Sequence, residues 1–310
     1  MKRPALAALA LTALALAFIV VVVGAYVRLS DAGLGCPDWP LCYGKPIPDA
    51  GEDHRAWKEM IHRWLAGTLG VLLFALLLAA WRTRRSPWLA TAISALVVLQ
   101  AALGMWTVTL LLKPAIVTAH LLGGMTILAL MTWFVLERLS PATRPEGRTL
   151  RRPVALALAV VALQIALGGW VSANYAALGC PDLPLCLGQA VPPMDFGNAF
   201  HMVRELGRTD QGELLPQAAL TAIHWSHRMF ALLVIGVVGW AALTAFRVYP
   251  AWGAIVGALV LLQFSIGVAN VAFNVPLALA AAHNAGAAAL LVALVVLNFF
   301  AFREHTSSSP

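Results

Sequence analysis

The sequence contains little charge and too few polar residues to coat a water-facing surface. Only 11% of its 310 residues are charged, 61% are hydrophobic, and the mean hydropathy is +0.81. Soluble domains have about 45–50% apolar and about 25% charged residues, so a soluble globule and a disordered chain are both excluded. Four cysteines are also too few for a small disulfide-rich scaffold in a chain of this length. The sequence therefore predicts an all-α integral membrane protein.

Eight stretches of the chain are apolar and long enough to cross a bilayer, whose hydrocarbon core of about 30 Å requires roughly 20 residues of helix. No proline lies in the interior of these stretches; prolines stand at or just before helix starts, where the missing N–H costs little. We therefore predict eight transmembrane helices, in the ranges Pro4–Val27, Trp57–Ala80, Trp88–Leu112, Pro114–Leu136, Pro153–Ala173, Leu220–Phe246, Trp252–Phe273 and Pro276–Phe302.

Positive charge is distributed unequally between the two sides of the predicted membrane. Because eight spans place both termini on one side, that side receives twelve of the 21 Lys and Arg residues and three of the 14 Asp and Glu residues. Cytoplasmic loops are enriched in Lys and Arg, so the N and C termini are predicted to be cytoplasmic and the two cysteine-containing loops to lie outside. The net charge of +7 then reflects membrane topology, and no nucleic-acid partner is expected.

Segments of the first half of the chain recur in the second half. The nonapeptide LGCPDWPLC that starts at Leu34 recurs as LGCPDLPLC from Leu178, 144 residues later. Three shorter motifs recur as well: a His-Arg pair (His62-Arg63 and His227-Arg228), a Gln/Gly motif (Gln100 with Gly104, and Gln263 with Gly267) and an Ala-His pair (ending at His120 and His283). Since both copies begin on the same side of the membrane, we predict two parallel-repeat four-helix bundles, residues 1–140 and 141–310.

Four of the repeated residues are histidines inside predicted spans, where ionisable side chains are rare and usually functional. At a rise of 1.5 Å per residue, His62, His120, His227 and His283 all lie roughly 8–10 Å below the outer boundary. Two imidazoles at one depth on two helices can ligate one iron from opposite faces of a porphyrin, so each half is interpreted as a haem site. Simple hydrogen bonding to a neighbouring helix is the alternative, and zinc is disfavoured because no cysteine lies nearby in the bilayer.

Residues around the first predicted ligand of each half have further candidate roles. Arg63 and Arg228 directly follow that ligand and are candidates for binding haem propionates, although snorkelling to the interface would also explain them. Glu59 lies three residues before the ligand on the same helical face, where a carboxyl group can move protons or position water. The simpler interpretation of Glu59 is a carboxylate at a helix start. His224 occupies the equivalent position and is expected to be a structural or propionate neighbour.

Two cysteine pairs lie in the predicted outer loops, where disulfides persist. Four cysteines allow three connectivities, of which we favour the local pairs Cys36–Cys42 and Cys180–Cys186. Each bond would close a short ring that shapes its loop. Thiol–disulfide exchange with a partner is the alternative, and it stays open for the first pair.

Taken together, these motifs resemble the heme A synthase family, in its prokaryotic eight-helix form with two outer-loop cysteine pairs. The resemblance covers essentially the whole chain and rests on the two Gly-Cys-Pro-Asp-x-Pro-Leu-Cys loops, the four histidines and Glu59. It implies a membrane oxidoreductase that oxidises a methyl group of heme O to a formyl group, for terminal oxidase assembly. The resemblance further implies successive hydroxylations of that methyl group, followed by dehydration of the geminal diol.

The resemblance also implies a different role for each half of the chain. A b-type haem iron would be bound by His227 and His283, heme O would bind near His62 and His120, and Glu59 would be important for turnover. A multi-pass location in a bacterial or archaeal cell membrane follows, with heme O synthase as a partner besides membrane lipid. The electron acceptor or donor is not identified by the sequence.

Three other functions are compatible with the residues alone. A bis-His b-type electron-transfer cytochrome would hold two equivalent haems and need no Glu59. A haem transporter or chaperone would bind haem reversibly without altering it. A membrane thiol oxidoreductase is the weakest of the three, because such enzymes usually carry a closely spaced reactive cysteine pair beside a quinone site.

Overall fold

The computed structural model describes residues 3–49, 51–139 and 149–302, and the regular structure in these ranges is helical. Eight of the helices are long and apolar enough to cross a membrane, which confirms the predicted eight-helix membrane fold. The helices are α1 (Arg3–Leu29), α2 (His54–Thr83), α3 (Pro87–Thr109), α4 (Pro114–Leu139), α5 (Arg151–Ala173), the short α6 (Phe196–Ala199), α7 (Gln217–Val248), α8 (Pro250–Ala272) and α9 (Leu277–Phe302).

Helix α2 begins at a capping residue and not at the start of its apolar stretch. The side chain of Asp53 caps α2 by accepting a hydrogen bond from the backbone N–H of Arg55 at 2.9 Å. This bond and the Arg55 guanidinium hold the pKa of the Asp53 carboxyl below its ordinary value. Because the polar first turn is included, α2 starts three residues before the predicted Trp57. Prolines at the first position start α3 and α8, so these helices begin shortly before the predicted Trp88 and Trp252.

The long helices pack as two groups of four. In the first group the contacts between neighbours run from α1 to α2, α3, α4 and back to α1, so α2 and α4 stand at opposite corners. In the second group the order is α5, α7, α8, α9, so α7 and α9 are opposite. The groups meet where α4 contacts α5 and α9, and where α1 contacts α9.

Some of the predictions concern residues that the structure does not describe. The predicted boundary between residues 140 and 141 lies outside the described residues. So do Lys2, Arg144, Arg148 and Arg303, which contribute to the predicted orientation. The domain division and the position of the termini stay predictions.

A polar contact joins the ends of α1 and α5. The Arg28 guanidinium donates to the Ser172 carbonyl at 2.6 Å and lies 4.0 Å from the centre of the Tyr175 ring. The Tyr175 hydroxyl donates to Asp31 at 2.9 Å, and burial raises the pKa of this phenol, so it stays a donor at neutral pH. Both bonds join positions 144 residues apart, the offset of the repeated loops. The two cysteine loops therefore lie at one end of the molecule, called here the disulfide end.

The disulfides pair within each loop, Cys36 with Cys42 and Cys180 with Cys186, as favoured from the sequence. The aspartate of each nonapeptide accepts hydrogen bonds from backbone N–H groups of the same loop. Asp38 accepts the backbone N–H groups of Tyr43 and Gly44 at 2.7 and 2.8 Å. In the second loop the Gly188 N–H is the main cause that holds the pKa of Asp182 below its ordinary value.

Glycine lets each disulfide loop lie against the start of the next helix. A Cβ added to Gly35 would lie 2.5 Å from the carbonyl carbon of Arg55, and one added to Gly179 would lie 2.5 Å from the Leu220 carbonyl oxygen. Both neighbours are backbone atoms, which cannot move without displacing α2 or α7. The glycine of the Leu-Gly-Cys motif is therefore required by packing in both copies.

We expect Gly179→Ala to destabilise the protein by about 1–3 kcal/mol, the usual cost of overpacking. Gly236→Ala is the matched control, because Gly236 lies in α7 and a Cβ there meets open space. Thermal unfolding of the detergent-solubilised full chain, followed by circular dichroism, measures the difference. Equal midpoints for the two variants would contradict this interpretation of the loop.

Candidate functional site

The four predicted ligands lie on the opposite corners of the two helix groups, near the disulfide end. His62 and His120 are on α2 and α4. On α7 and α9, the ring centroids of His227 and His283 are 6.5 Å apart and the ring planes make an angle of 78°. Two imidazoles bound to one metal at about 2.0–2.1 Å from opposite sides have centroids roughly 6 Å apart. The second pair is therefore spaced as two axial ligands would be.

Each imidazole is packed against a glycine of the neighbouring helix. A Cβ on that glycine would lie between 2.8 and 3.2 Å from the Cε1 atom of the ring. The four pairs are Gly24 with His62, Gly104 with His120, Gly168 with His227, and Gly267 with His283. In each group the glycines lie on the two corners that the histidines leave free, so backbone and ring alternate around the core.

Three of the four histidines are also held through their backbone. Glutamine side chains donate a hydrogen bond to the histidine carbonyl oxygen: Gln100 to His120 at 2.5 Å, Gln164 to His227 at 3.1 Å, and Gln263 to His283 at 2.9 Å. Each glutamine lies one turn before the glycine that contacts the ring.

The imidazoles fit the requirements of ligands to a haem iron. All four Nδ1 atoms are buried without a hydrogen-bond partner among the described residues. A buried polar nitrogen without a partner is uncommon in proteins, and a neutral imidazole in that condition is available to bind a metal. Within the described ranges no three His, Cys, Asp or Glu side chains come together as a metal site, so each group offers two imidazoles to a metal.

Glu59 connects the first disulfide loop to the helix of His62. It is almost fully buried, with 5% of its surface exposed. One carboxylate oxygen accepts the backbone N–H of Cys36 at 2.9 Å, and the other pairs with the Arg63 guanidinium at 2.5 Å. Burial separates Glu59 from an ordinary solvated carboxylate at a helix start. Its predicted role in turnover stays a prediction.

His224 makes the corresponding contact in the second half. Its Nδ1 atom accepts the backbone N–H of Cys180 at 3.1 Å, and the side chain is buried. The two halves therefore use the same connection from the first cysteine of the loop to a residue three before a ligand. Only the first half has a carboxylate there.

The two arginines hold the disulfide loops. Arg63 donates to the carbonyl oxygens of Asp38 at 2.9 Å and Leu41 at 2.6 Å. Arg228 donates to the carbonyl of Asp182 at 3.0 Å and to that of Pro184 at 3.1 Å. Each guanidinium is thus fixed beside the disulfide end of its bundle, and the predicted contact with haem propionates stays a prediction.

Two cavities elsewhere in the described structure border none of the four histidines. One, of about 330 Å³, lies at the end opposite the disulfides, beside Trp133, Glu137 and Arg138. The other, of about 250 Å³, lies between Lys113 and the second disulfide-end loop at Arg204. The candidate site is therefore identified by ring geometry and not by an open cleft.

The sequence indicates Gln100, Gln263, Gly104 and Gly267 as helix-packing residues without chemistry, but it does not show that they lie behind the rings. Gly24 and Gly168 are separated by the same 144 residues as the cysteine loops, so the sequence marks them as equivalent positions of the repeat. Gln164 lies in a segment that resembles the Gln/Gly motif of α3 and that could arise by chance in such apolar sequences. The structure shows that it is the same arrangement, repeated on α3, α5 and α8.

Comparisons with known proteins show which proteins the chain is similar to. The family model COX15-CtaA, described as a cytochrome oxidase assembly protein, matches residues 7–295. A protein of Shewanella oneidensis named heme A synthase is 37% identical over 316 residues, covering 94% of this chain and 95% of that protein. Proteins with the same name from Caulobacter vibrioides and Caulobacter sp. are 30% and 29% identical, and they cover 93% and 89% of this chain.

The packing of glycine against the rings can be tested with Gly24→Ala. The added Cβ would lie 2.8 Å from His62 Cε1, so the imidazole has to move. We expect haem binding in that half to weaken roughly tenfold, the equivalent of about 1.4 kcal/mol of overpacking. Haem titration of the full chain, read by Soret absorbance, measures it. Gly67→Ala, where a Cβ meets open space on α2, is the control; the same loss in both variants would contradict the prediction.

Proposed function

Since the chain belongs to the COX15-CtaA family of cytochrome oxidase assembly proteins, with heme A synthases as relatives, we propose that it is a membrane oxidoreductase that converts heme O to heme A. The observation that carries this proposal is the pair of two-imidazole sites on opposite corners of two bundles, with a carboxylate beside only one of them. Two identical sites would suit electron transfer alone. The difference at Glu59 and His224 favours one reacting haem and one auxiliary haem.

We assign heme O, the substrate, to His62 and His120 in the first half. His227 and His283 would bind the resident heme b, and their separation of 6.5 Å suits two axial ligands. When bound, heme b supplies one-electron transfer, with a potential set by its axial ligands and surroundings. His224, the neutral counterpart of Glu59, leaves this half without a carboxylate to exchange protons.

The residues of the first half suit proton transfer next to the substrate. Glu59 is buried one turn from His62, and a positioned carboxylate can accept or donate a proton at a reacting group. The Arg63 guanidinium lies 2.5 Å from one oxygen of the Glu59 carboxyl group and holds it in place. The first disulfide loop contacts both residues, through the Cys36 N–H and the carbonyl oxygens of Asp38 and Leu41.

The same proposal includes the location of the protein. The Lys and Arg bias favours cytoplasmic termini and an external disulfide end in a bacterial or archaeal cell membrane. The contacts between positions 144 residues apart, Arg28 with Ser172 and Asp31 with Tyr175, support two parallel repeats related by an axis along the membrane normal. Residues 1–140 and 141–310 would form the two units. Heme O synthase, which makes the substrate, would be a partner.

The first experiment is acid extraction of haem from the purified full chain, expressed together with a supply of heme O. Chromatography should detect heme B together with heme O, a hydroxylated intermediate or heme A. Heme B alone, at two per chain despite available heme O, would favour the electron-transfer cytochrome. Heme O bound and released unaltered would favour a transporter.

Glu59→Gln should stop conversion at heme O or at a partly oxidised product. The amide oxygen can still accept the Cys36 N–H, while the charge and the proton acceptor are lost, so the loop connection and the proton role are separated. We expect conversion to fall by about 10²–10⁴-fold, the range typical of general acid–base groups, with the unfolding midpoint little changed. His224→Gln is the matched control at the equivalent position and should convert heme O normally. Full activity of Glu59→Gln would contradict a proton role.

A further inference from the structure

One of the four histidines lacks the backbone connection that the other three have. Gln100, Gln164 and Gln263 each lie four residues before the glycine that contacts a ring, and each donates to the carbonyl of that histidine. On α1 the residue four before Gly24 is Val20. Val20 and Gln164 are separated by 144 residues, so they are equivalent positions of the two repeats.

A valine cannot replace this connection, because its side chain has no hydrogen-bond donor. Val20 is half-buried and packs against apolar side chains of the core. The carbonyl of His62 therefore receives no side-chain hydrogen bond among the described residues. In the second half, the Gln164 side-chain nitrogen lies 3.1 Å from the His227 carbonyl oxygen and 3.5 Å from the His227 Nε2 atom. It therefore contacts both the backbone and the ring of His227.

A hydrogen bond between helices limits how far the ligand-bearing helix can rotate or slide. Interhelical hydrogen bonds in membranes change equilibria by about three- to twentyfold. A histidine held at its carbonyl keeps its imidazole in the ligating position with little loss of order on binding. Without this hydrogen bond, the helix can move more freely, and its imidazole leaves the ligating position more often.

We propose that His62 is the exchangeable axial ligand of this protein, and that the difference between Val20 and Gln164 determines which bundle releases its haem. The inference deepens the proposed function, since a substrate haem must enter and leave whereas a cofactor haem must stay. Val20 and Gln164 are positioning residues, because they act through the helices that carry His62 and His227. His120 remains held by Gln100, so one side of the exchanging haem stays anchored.

The test measures haem loss and carbon monoxide binding in the full chain, purified in detergent and loaded with ferric protoporphyrin IX. Excess apomyoglobin captures the haem that is lost, and the component from the first half is the one absent in His62→Ala. After reduction, carbon monoxide binds a six-coordinate haem once an axial ligand has left, so its binding rate reports ligand release without any turnover.

In the wild type we expect the first half to lose haem and to bind carbon monoxide faster than the second half. Val20→Gln should slow both rates in the first half by about three- to twentyfold, or should retain haem there if the wild type loses it during purification. Gln164→Val should accelerate both rates in the second half. The double variant should reverse the order of the two halves, which general destabilisation would not do.

Val20→Ile is the matched control, because it adds volume without a donor, and its rates should equal those of the wild type. Unchanged rates in Val20→Gln relative to Val20→Ile, or in Gln164→Val relative to the wild type, would overturn the proposal. Should Val20→Gln fail to fold, the Gln164→Val comparison decides the question alone. Because protoporphyrin IX is the probe, a failure of this inference is distinguishable from a failure of heme O conversion.

Discussion

The contact between an imidazole and the glycine of a neighbouring helix is the constraint on which the rest of this structure depends. Ionisable side chains are costly in the bilayer core and are found there facing a bundle interior. A ring at each of two opposite corners requires the other two corners to approach without a side chain, because a Cβ would come within 2.8–3.2 Å of the ring. Four such contacts set the spacing of all eight long helices around two sites.

The disulfide loops are connected to these sites by a second repeated contact. The backbone N–H of the first cysteine donates to a buried side chain three residues before a ligand, which is Glu59 in one half and His224 in the other. The arginine after the ligand holds the same loop through its carbonyl oxygens. In each half, the loop, the buried side chain and the predicted ligand are therefore connected in sequence. A displacement of the loop would move the predicted ligand through one helical turn.

The two halves share this framework and differ at a few chemical positions. The first half has the carboxylate of Glu59 where the second has the imidazole of His224, and it has the apolar Val20 where the second has the amide of Gln164. The framework is supplied by glycine–imidazole packing and by backbone hydrogen bonds that recur in both halves. The proposed roles of the two bundles depend on these few differences within one repeated framework.

The sequence by itself determined the membrane class, the eight spans, the four histidines and the internal repeat, because length, hydropathy and identical motifs are properties of the linear chain. It also indicated the local disulfides, although it left other pairings open. Only the tertiary structure decided that Glu59 accepts the Cys36 N–H, that Arg63 holds the loop, and that Gly24 and Gln164 lie behind ligands of neighbouring helices. Small and amide residues in apolar spans look alike along the chain, and their meaning depends on which helix packs against them, a relation set by the three-dimensional approach of segments distant in sequence.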